Sequence, residues 1–428
     1  MPVRTRRSEA EPIELVIDDI APTGEGVAHL VSGEAVFVPA TIPGEAILAT
    51  VVNGRPRRGS VLKVLRPSPA RVEPDCPEVV RCGGCDFMHL APDAQKHWHL
   101  DHLRRALERA LSSFGVELPG VNYRAAPTPL AYRTRARLRV AANGRHTKIG
   151  FRGVRSHELV AVSSCSVLEP ALGSALVELP KLLAGSRGDG EAMLALGKGR
   201  LPVVELQFVG TLSSDTLRAI DLAVEHGQFA GFRVSLDRAR IPLTFGDPRP
   251  VIRAADGLEL FLAPGGFGQA SEDAASALAL RVSELAAATG ATKAVELFAG
   301  CGTLTVMLAR RVAELAATEQ DPSAVESLRD NVVRRGLSVK ARCADANTTA
   351  LPKADLVVLD PPRGGAPGAI ARVIEAKPKH VIYVSCNAAT LARDLAVLVE
   401  GRYRPVTLDV FDVFPQTSHF ETIVSLVR

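Results

Sequence analysis

The chain has 428 residues, 46% of them hydrophobic and 23% charged, which is enough material for two or three domains with ordinary cores. Its 51 basic residues exceed its 47 acidic residues by four, so the charge permits a nucleic acid as partner without requiring one. Membrane and secreted proteins are excluded, because no apolar run reaches the roughly 18 residues of a membrane span and the start, MPVRTRRSEAEPIE, has no apolar core. We therefore expect a cytoplasmic protein.

Residues 12–66 predict a small β unit. Its five runs, PIELVIDDI, GEGVAHL, GEAVFVPA, GEAILATVV and GSVLKVL, are rich in β-branched residues and are separated by Gly, Pro or Asn. Short strands of similar length are typical of a closed or partly closed barrel. The loop GRPRRGS, 54–60, places three arginines on this unit. We predict a first domain over residues 1–68.

Three cysteines within ten residues follow the β unit: Cys76, Cys82 and Cys85, spaced C-x5-C-x2-C. In a chain without an export signal, this clustering indicates metal binding more than disulfides. A closed site needs a fourth thiolate, and Cys165 in VSSCSV is the best candidate. Four thiolates suit either zinc or an iron–sulfur cluster, and the spacing does not decide between them. Two other cysteines are predicted to be packing residues, Cys301 and Cys343.

The middle of the chain mixes helical and extended patterns. AQKHWHLDHLRRALERALSSF, 94–114, has leucines at helical spacing. YRTRARLRV, 132–140, spaces four arginines two apart, so that on a strand they share one face: Arg133, Arg135, Arg137 and Arg139. Such a face binds phosphates, or it is a solvated face paired with acids. We predict a mixed α+β domain over 69–255, with helix 94–114 packing either there or on the third domain.

The pattern changes from about residue 275, where short apolar strands alternate with amphipathic helices. KAVELFAG, ELAATEQD, ADLVVLDPP and KHVIYVSCN are the clearest strands. Fully apolar strands alternating with helices predict a parallel, doubly wound sheet covered on both faces. This third domain is predicted over 256–428.

A cofactor site is predicted at VELFAGCGT, 295–303, where a strand enters a Gly-x-Gly turn and a helix. Thr305 replaces the third glycine of a dinucleotide fingerprint, which argues against a pyrophosphate. Glu319 ends the next strand, where its carboxylate can accept hydrogen bonds from two ribose hydroxyls, although it could instead cap a helix. The pattern therefore favours S-adenosylmethionine (SAM) over NAD. Asp345, after the third strand, is positioned to meet an adenine amino group.

A thiol follows in the same predicted cleft. Asp360 opens DPPRGG after one strand, and Cys386 ends the next strand in YVSCNAAT, residues 383–390. DPP recurs in nucleic-acid methyltransferases where a base is held. Carbon 5 of uracil is a weak nucleophile, and a thiolate added to carbon 6 activates it. The alternative is a cysteine that only packs.

The thiol chemistry needs two further contributions. Asn387 and the helix start that follows are expected to lower the pKa of the Cys386 thiol. A base must remove the carbon 5 proton, and FPQTSHFETIVSLV, 414–427, offers His419 and Glu421. We favour Glu421, although a glutamate before a strand is commonly a solvated cap.

Three motifs, DPPRGG, SCNAATLARD and FPQTSHFET, closely resemble signatures of the RNA 5-methyluridine (uracil-C5) methyltransferase family, and the likeness spans nearly the whole chain. The resemblance implies an α/β fold, with a Rossmann-like SAM-dependent methyltransferase domain preceded by a TRAM (OB-like) barrel and a mixed α+β domain. It implies Cys386 as nucleophile and Glu421 as base. The SAM and uracil contacts implied are Gln269, Phe298, Thr303, Glu319, Asp345 and Asp360. Thr303 and Ser271 stand where Asn is common in the family.

The same resemblance bears on cofactor and partner. Cluster-bearing members hold a [4Fe-4S] cluster with this cysteine pattern, which favours the cluster over zinc at Cys76, Cys82, Cys85 and Cys165 and makes 23S rRNA the expected substrate. A monomer is expected. Three alternatives stay open: a tRNA uridine-C5 methyltransferase, a cytosine-C5 enzyme, and an RNA-binding protein that binds SAM without turnover. A cytosine-C5 enzyme would place a cysteine beside proline, and DPPRGG has none.

Overall fold

The computed structural model describes residues 11–237 and 239–428, which form two compact units. The first unit contains the chain up to Trp98 together with Arg152–Glu158 and Gln416–Ser418, and the second contains His99–Phe151, Leu159–Pro415 and His419–Arg428. The basic start of the chain, residues 1–10, lies outside the described residues. The division into domains 1–68, 69–255 and 256–428 stays a prediction.

The first unit contains the predicted barrel, which is confirmed and closed. Its strands are β1 (Ile13–Ile20), β2 (Gly26–His29), β3 (Ala35–Val38), β4 (Ala46–Val52) and β5 (Arg57–Arg66), in the order β1-β2-β3-β5-β4. Buried and exposed side chains alternate along β1, with Leu15 and Ile17 inside and Val16 outside. The inward residues of β1, β3 and β4 form one small core.

A long helix, α1 (Pro92–Leu111), passes from the first unit to the second after Trp98. A 3₁₀ turn (Ser112–Phe114) extends it to Gly115, which ends it in the left-handed region at φ 62°. Within the second unit, the His99 ring lies 5.1 Å from the Phe420 ring, centroid to centroid. The short strand β6 (Val121–Arg124) follows.

A seven-stranded sheet occupies the middle of the second unit. Its strands are β7 (Arg135–Asn143), β8 (Thr147–Arg152), β9 (Leu159–Ala161), β10 (Arg187–Leu196), β11 (Pro202–Thr211), β12 (Gly231–Leu236) and β13 (Leu243–Gly246), in the order β13-β12-β11-β10-β7-β8-β9. The helices α2 (Pro170–Leu182) and α3 (Ser214–Glu225) bury their apolar faces in a core shared with this sheet. This is the mixed α+β architecture that the sequence predicts.

The rest of the second unit is doubly wound. After the hairpin β14 (Val251–Arg253) and β15 (Glu259–Phe261), its elements are α4 (Glu272–Ala288), β16 (Lys293–Leu297), α5 (Thr305–Leu308), β17 (Glu314–Glu319), α6 (Pro322–Val333), β18 (Lys340–Cys343), β19 (Leu356–Leu359), α7 (Pro367–Ala376), β20 (His380–Ser385), α8 (Ala388–Glu400), β21 (Arg404–Phe411) and β22 (Glu421–Val427). The sheet order is β18-β17-β16-β19-β20-β22-β21-β6. The predicted Rossmann-like fold is confirmed.

The all-parallel prediction for this sheet is correct for the direction of seven of its eight strands, including β21 and β6, and wrong for β22. The strands β16 to β20 pair in parallel, whereas β22 runs antiparallel to both β20 and β21. An apolar run does not encode strand direction, and the connection between β21 and β22 contains no crossover helix that would make them parallel. The edge strand β6 comes from far earlier in the chain, inside the range predicted for the central domain.

The sheet order reverses at β16, which lies between β17 and β19. At such a switch point the loops after the two strands diverge and leave a crevice at the carboxyl ends of the strands. Phe298, Thr303, Glu319, Asp345, Asp360 and Cys386 lie at or after the carboxyl ends of strands in this sheet, and Glu421 begins β22 at the same end. Among the described residues, no helix is both long enough and apolar enough to cross a membrane.

Candidate active site

The glycine turn after β16 has the backbone geometry of a ligand cradle. Phe298, Gly300 and Gly302 all lie in the left-handed region, at φ 62°, 54° and 97°. This conformation is uncommon for a residue with a side chain, so Phe298 is held there by its surroundings. A Cβ on Gly300 would meet no atom within 4 Å, so open space lies beside its backbone.

Glu319, at the end of β17, binds this turn. One carboxylate oxygen accepts the Gly300 N–H at 2.9 Å, and the other accepts those of Gln320 at 2.7 Å and Asp321 at 2.9 Å. A carboxylate has about four acceptor sites, so capacity remains for a ribose hydroxyl. The helix N-cap at α6 is Asp321, which argues against Glu319 as the cap.

Two other predicted SAM contacts, Asp345 and Thr303, lie in loops that follow strands of the same sheet. Asp345 is exposed just after β18 and accepts the backbone N–H of Asn347 at 2.9 Å. Thr303 is half-buried inside the glycine turn. Ser271 is the N-cap of α4, where its hydroxyl accepts the Ala274 N–H at 3.2 Å.

Sequence reasoning missed Glu296, a carboxyl group 1% exposed within β16. Burial is the main cause that raises its pKa to about 8; the charges of Asp360 and Glu319 also raise it, and Thr305 opposes the shift. One of its oxygens has no hydrogen-bond partner among the described residues. The signal was present in the sequence, because VELF carries an acid inside an otherwise apolar strand.

The structure brings Cys386, Asp360 and Glu421 together. The strands β19, β20 and β22 are neighbours, and Ser385 pairs with Thr422, so the next residue on each strand, Cys386 and Glu421, also face each other. Asp360 follows Leu359, which pairs with Tyr383 on β20. The thiol therefore lies between two carboxyl groups.

Burial and mutual repulsion shape the ionisation of these three groups. The pKa of the Cys386 thiol is raised to about 11, chiefly by burial and also by the charges of Glu421 and Asp360, while Arg363 opposes the shift. Burial also raises the pKa of Asp360 to about 7. Glu421 is 4% exposed, and burial followed by repulsion from Asp360 raises its pKa well above the ordinary value. In the ligand-free protein the thiol is protonated at neutral pH.

The prediction that Asn387 and the helix start lower the pKa of the thiol is wrong for this state. The Asn387 side chain is the N-cap of α8, accepting the N–H groups of Ala389 at 2.9 Å and Thr390 at 3.1 Å. Because these two N–H groups already donate to Asn387, they do not counter the rise in the pKa of the Cys386 thiol that burial causes. The start of α8 therefore stabilises the turn that follows Cys386, and it stabilises a thiolate at Cys386 less.

The DPPRGG loop is fixed to α8. The Thr390 hydroxyl donates to the carbonyl of Arg363 at 3.2 Å, and Arg393 donates to that of Gly364 at 2.9 Å. Asp394, 1% exposed, accepts the Ala366 N–H at 2.8 Å and the Tyr383 hydroxyl at 2.7 Å. The helix that follows Cys386 therefore also holds the loop that follows Asp360, which fixes the two groups relative to each other.

Gln269 lies on a glycine-rich loop that β7 anchors. The Arg135 side chain donates to the carbonyl of Gly266. The Thr134 backbone N–H donates to the carbonyl of Ala270 at 2.7 Å. Gln269 itself is half-buried between these anchors. The start of β7 thus fixes the loop on both sides of Gln269.

The predicted row of phosphate-binding arginines is only partly present. Arg135 is 8% exposed and turned inward to the loop, so it does not lie on an open face. Arg137 and Arg139 both pair with Glu191, at 3.5 and 3.9 Å. The alternative of a face paired with an acid describes these two residues better, because sequence spacing sets the shared face but not which neighbours cover it.

The cysteines divide between the two units. Cys76, Cys82 and Cys85 are half-buried in the first unit, and Cys165 is half-buried in the second. Among the described residues, no group of three or more His, Cys, Asp or Glu side chains is arranged to hold a metal ion. The two predicted packing cysteines differ, because Cys301 is buried whereas Cys343 is exposed. The packing prediction is therefore wrong for Cys343, whose strand β18 is a sheet edge.

Comparisons with known proteins agree with this site. A tRNA (Uracil-5-)-methyltransferase family model matches residues 342–428, and a methyltransferase small domain model matches 257–380. A 23S rRNA (uracil(1939)-C(5))-methyltransferase RlmD of Chromohalobacter salexigens is 35% identical, over 99% of this chain and 91% of the relative. The RlmD of Halomonas elongata is 36% identical, over 96% and 89%.

A solved structure extends the likeness to the fold. The Pyrococcus abyssi tRNA (uracil-54, C5)-methyltransferase in complex with S-adenosyl-L-homocysteine aligns with a TM-score of 0.75 at 25% identity, over 97% of this chain and 100% of that one. The Rossmann-like sheet and the cradle at its switch point define a SAM-dependent methyltransferase. The chain belongs to the RNA uracil-C5 methyltransferase family, and its substrate is RNA.

Proposed function

We propose that the protein methylates carbon 5 of a uridine in 23S rRNA through a covalent adduct between Cys386 and carbon 6. The observation that carries this proposal is the thiol of Cys386 beside the buried carboxyl of Glu421, on facing ends of two paired strands. Transfer to an oxygen or nitrogen needs no such thiol, whereas uracil carbon 5 needs activation.

The bonds in this proposal balance as follows. The Cys386 thiol gives its proton to solvent and its sulfur adds to carbon 6, and the electron pair of the 5,6 double bond moves to carbon 5 and the carbon 4 oxygen. Carbon 5 then forms the new bond to the methyl group as the methyl–sulfur bond of SAM breaks, and S-adenosylhomocysteine leaves with that electron pair. Glu421 takes the proton from carbon 5, the double bond re-forms, and the carbon–sulfur bond breaks to return the Cys386 thiolate. A buried carboxyl with a raised pKa is suited to take a proton near neutral pH.

The residues that would hold SAM fit a nucleoside with a methionine tail. When bound, SAM supplies the methyl group as an electrophile. Glu319 and Asp345 would bind the ribose and adenine, and the turn with Phe298 and Thr303 would lie beside the ligand. Gln269 and Asp360 would contact the methionine part of SAM or the uracil. The open face at Gly300 and the spare acceptor capacity of Glu319 support this assignment.

Ribosomal RNA is the substrate that the relatives' names favour. Both reported relatives are named for uracil 1939 of 23S rRNA, whereas the aligned solved structure is named for uracil 54 of tRNA. Because the 23S rRNA relatives are 35% and 36% identical and the tRNA enzyme 25%, we place this chain with the former. We propose that the protein acts as a monomer in the cytoplasm, where its RNA substrate is found.

Release of tritium from RNA labelled at uracil carbon 5 tests the proposal. With SAM present we expect the wild type and Cys343→Ser to release tritium, and Cys386→Ala to release none. Glu421→Gln should instead accumulate a protein–RNA adduct that survives denaturing electrophoresis. Methyl transfer to RNA without tritium release would contradict substitution at carbon 5. RNA and SAM binding without any methyl transfer by the wild type would favour a binding protein.

We propose further that Cys76, Cys82, Cys85 and Cys165 hold a [4Fe-4S] cluster. The support is chemical: three half-buried cysteines occur within ten residues, and thiolates are the ligands of such clusters. Protein purified without oxygen should contain about four iron and four sulfide per chain, and Cys82→Ser should lose both. One zinc per chain and no sulfide would instead establish a zinc site.

A further inference from the structure

The segment Gln416–Ser418 belongs to the first unit, although it lies just before β22 in the chain. All three of its residues are buried. The Ser418 backbone N–H donates to one carboxylate oxygen of Asp86 at 2.8 Å, and the Ser418 hydroxyl donates to the other at 2.6 Å. Hydrogen bonds to a charged acceptor are among the stronger ones in proteins.

Gln95 holds the other end of the same segment. Its side-chain amide donates to the side-chain oxygen of Gln416 at 3.1 Å, and its oxygen accepts the Gln416 backbone N–H at 3.1 Å. The Phe87 backbone N–H donates to the Gln416 carbonyl at 2.9 Å. Gln95 is itself fixed, because its amide also donates to the carbonyl of Leu90 at 2.7 Å.

The segment is held in a conformation that it would not adopt alone. Gln416 has φ 70°, in the left-handed region that residues with a side chain rarely occupy. Such an outlier persists only where its surroundings impose it. Asp86, Phe87 and Gln95 are the surroundings that do so.

Glu421 depends on this anchoring more than most catalytic side chains would. It is the first residue of β22, three residues after Ser418 along a continuous chain. One of its carboxylate oxygens is buried without a hydrogen-bond partner among the described residues. Since side-chain hydrogen bonds do not fix that oxygen, its position depends on the backbone that leads into β22.

We propose that Asp86 and Gln95 are positioning residues for the catalytic base. They clamp residues 416–418, and the clamp sets where the chain enters β22 and therefore where the Glu421 carboxylate lies. The proposal rests on the proposed role of Glu421. It gives these two side chains a function in proton abstraction that stands apart from SAM binding.

The test compares single variants in the tritium assay and in adduct trapping. Asp86→Ala should lower turnover on the order of 10²-fold with the KM values for SAM and RNA changed less than about twofold, because misplacing a catalytic group by about 1 Å has that effect. Like Glu421→Gln, it should accumulate the methylated protein–RNA adduct. Gln95→Ala should behave in the same way.

Milder variants separate positioning from loss of folding. Asp86→Asn keeps an acceptor for the Ser418 N–H and should recover most of the turnover. Ser418→Ala removes one hydrogen bond and should lower turnover roughly tenfold. Asp18→Ala is the matched control, because Asp18 pairs with His29 at 2.8 Å in the same unit and has no bond to residues 416–418 among those described.

The outcomes distinguish this proposal from the proposed function. If Glu421→Gln traps the adduct while Asp86→Ala and Ser418→Ala turn over like Asp18→Ala, the clamp is structural and the proposal is wrong. If Glu421→Gln traps no adduct, the assignment of the base fails first. If Asp86→Ala does not fold, a graded loss in Asp86→Asn and Ser418→Ala with adduct accumulation still supports positioning, and wild-type turnover in both overturns it.

Discussion

At the scale of single residues, the chemistry of the site is dominated by buried carboxyl groups. Glu296, Asp360 and Glu421 all have raised pKa values, and burial is the largest cause for each. Glu421 and Asp360 raise the electrostatic cost of a thiolate at Cys386, which Arg363 only partly offsets. The ligand-free site is therefore arranged to hold protons, and under the proposed function the Cys386 thiol must lose its proton as the reaction begins.

Glu296 gives the protein a stability that depends on pH. The pKa of Glu296 is raised from 4.5 to about 8, because the folded protein favours the protonated carboxyl. Its contribution to the free energy of unfolding is therefore fully present below about pH 4.5 and is lost as the pH rises through 8. Glu296→Gln cannot ionise, so the wild type should lose stability relative to this variant between pH 5 and pH 8, by a few kcal/mol at most. Urea unfolding at both pH values measures the difference.

An exposed glutamate provides the control for this prediction. Glu314 lies at the start of β17, in the same sheet, and is half-exposed in an ion pair with Lys293. Glu314→Gln should not reproduce the effect of pH seen for Glu296→Gln. The prediction is contradicted if the wild type and Glu296→Gln differ in free energy of unfolding by the same amount at pH 5 and pH 8. That result would show that Glu296 is ionised at both pH values.

At the scale of elements, α8 organises both sides of the reaction centre. It begins directly after Cys386, is capped by Asn387, and holds the DPPRGG loop through Thr390, Arg393 and Asp394. The cap therefore stabilises the helix that supports Asp360 as well as the turn that presents the thiol.

Substitution of Asn387 should separate these two effects. Asn387→Ala removes the cap and should cost about 1 kcal/mol of stability. Asn387→Asp keeps the acceptor and should retain the stability, but its charge beside Cys386 should raise the pKa of the thiol. Thermal unfolding measures the first effect, and the rate of Cys386 alkylation at pH 8, followed by peptide mass spectrometry, measures the second. Equal destabilisation by Ala and Asp would show that the cap is unimportant.

At the scale of the whole molecule, local patterns predicted the elements and the strand-end positions of the site residues. Alternating apolar residues predicted the barrel, and the motifs after β16, β17, β19 and β20 predicted which side chains meet at the switch point. Those features depend on residues close together in sequence. The meeting of Asp360 and Cys386 was predicted in the same way, whereas Glu421 was favoured because of the family resemblance.

The features that sequence reasoning missed depend on contacts between distant segments. The antiparallel direction of β22, the addition of β6 to the sheet edge and the inward turn of Arg135 all involve partners more than 100 residues away or a choice of direction. The raised pKa of Cys386 depends on which strands lie beside it. The assignment of residues 416–418 to the first unit is likewise absent from any local pattern.

The place of β22 within the sheet has a consequence for biosynthesis. It lies between β20 and β21, so both of these strands leave the ribosome before the strand that joins them. Until β22 inserts, each of the two exposes an unpaired edge, the kind of surface on which nascent chains aggregate. The same insertion delivers Glu421 to Cys386. Completion of the sheet and completion of the proposed catalytic pair are therefore one event.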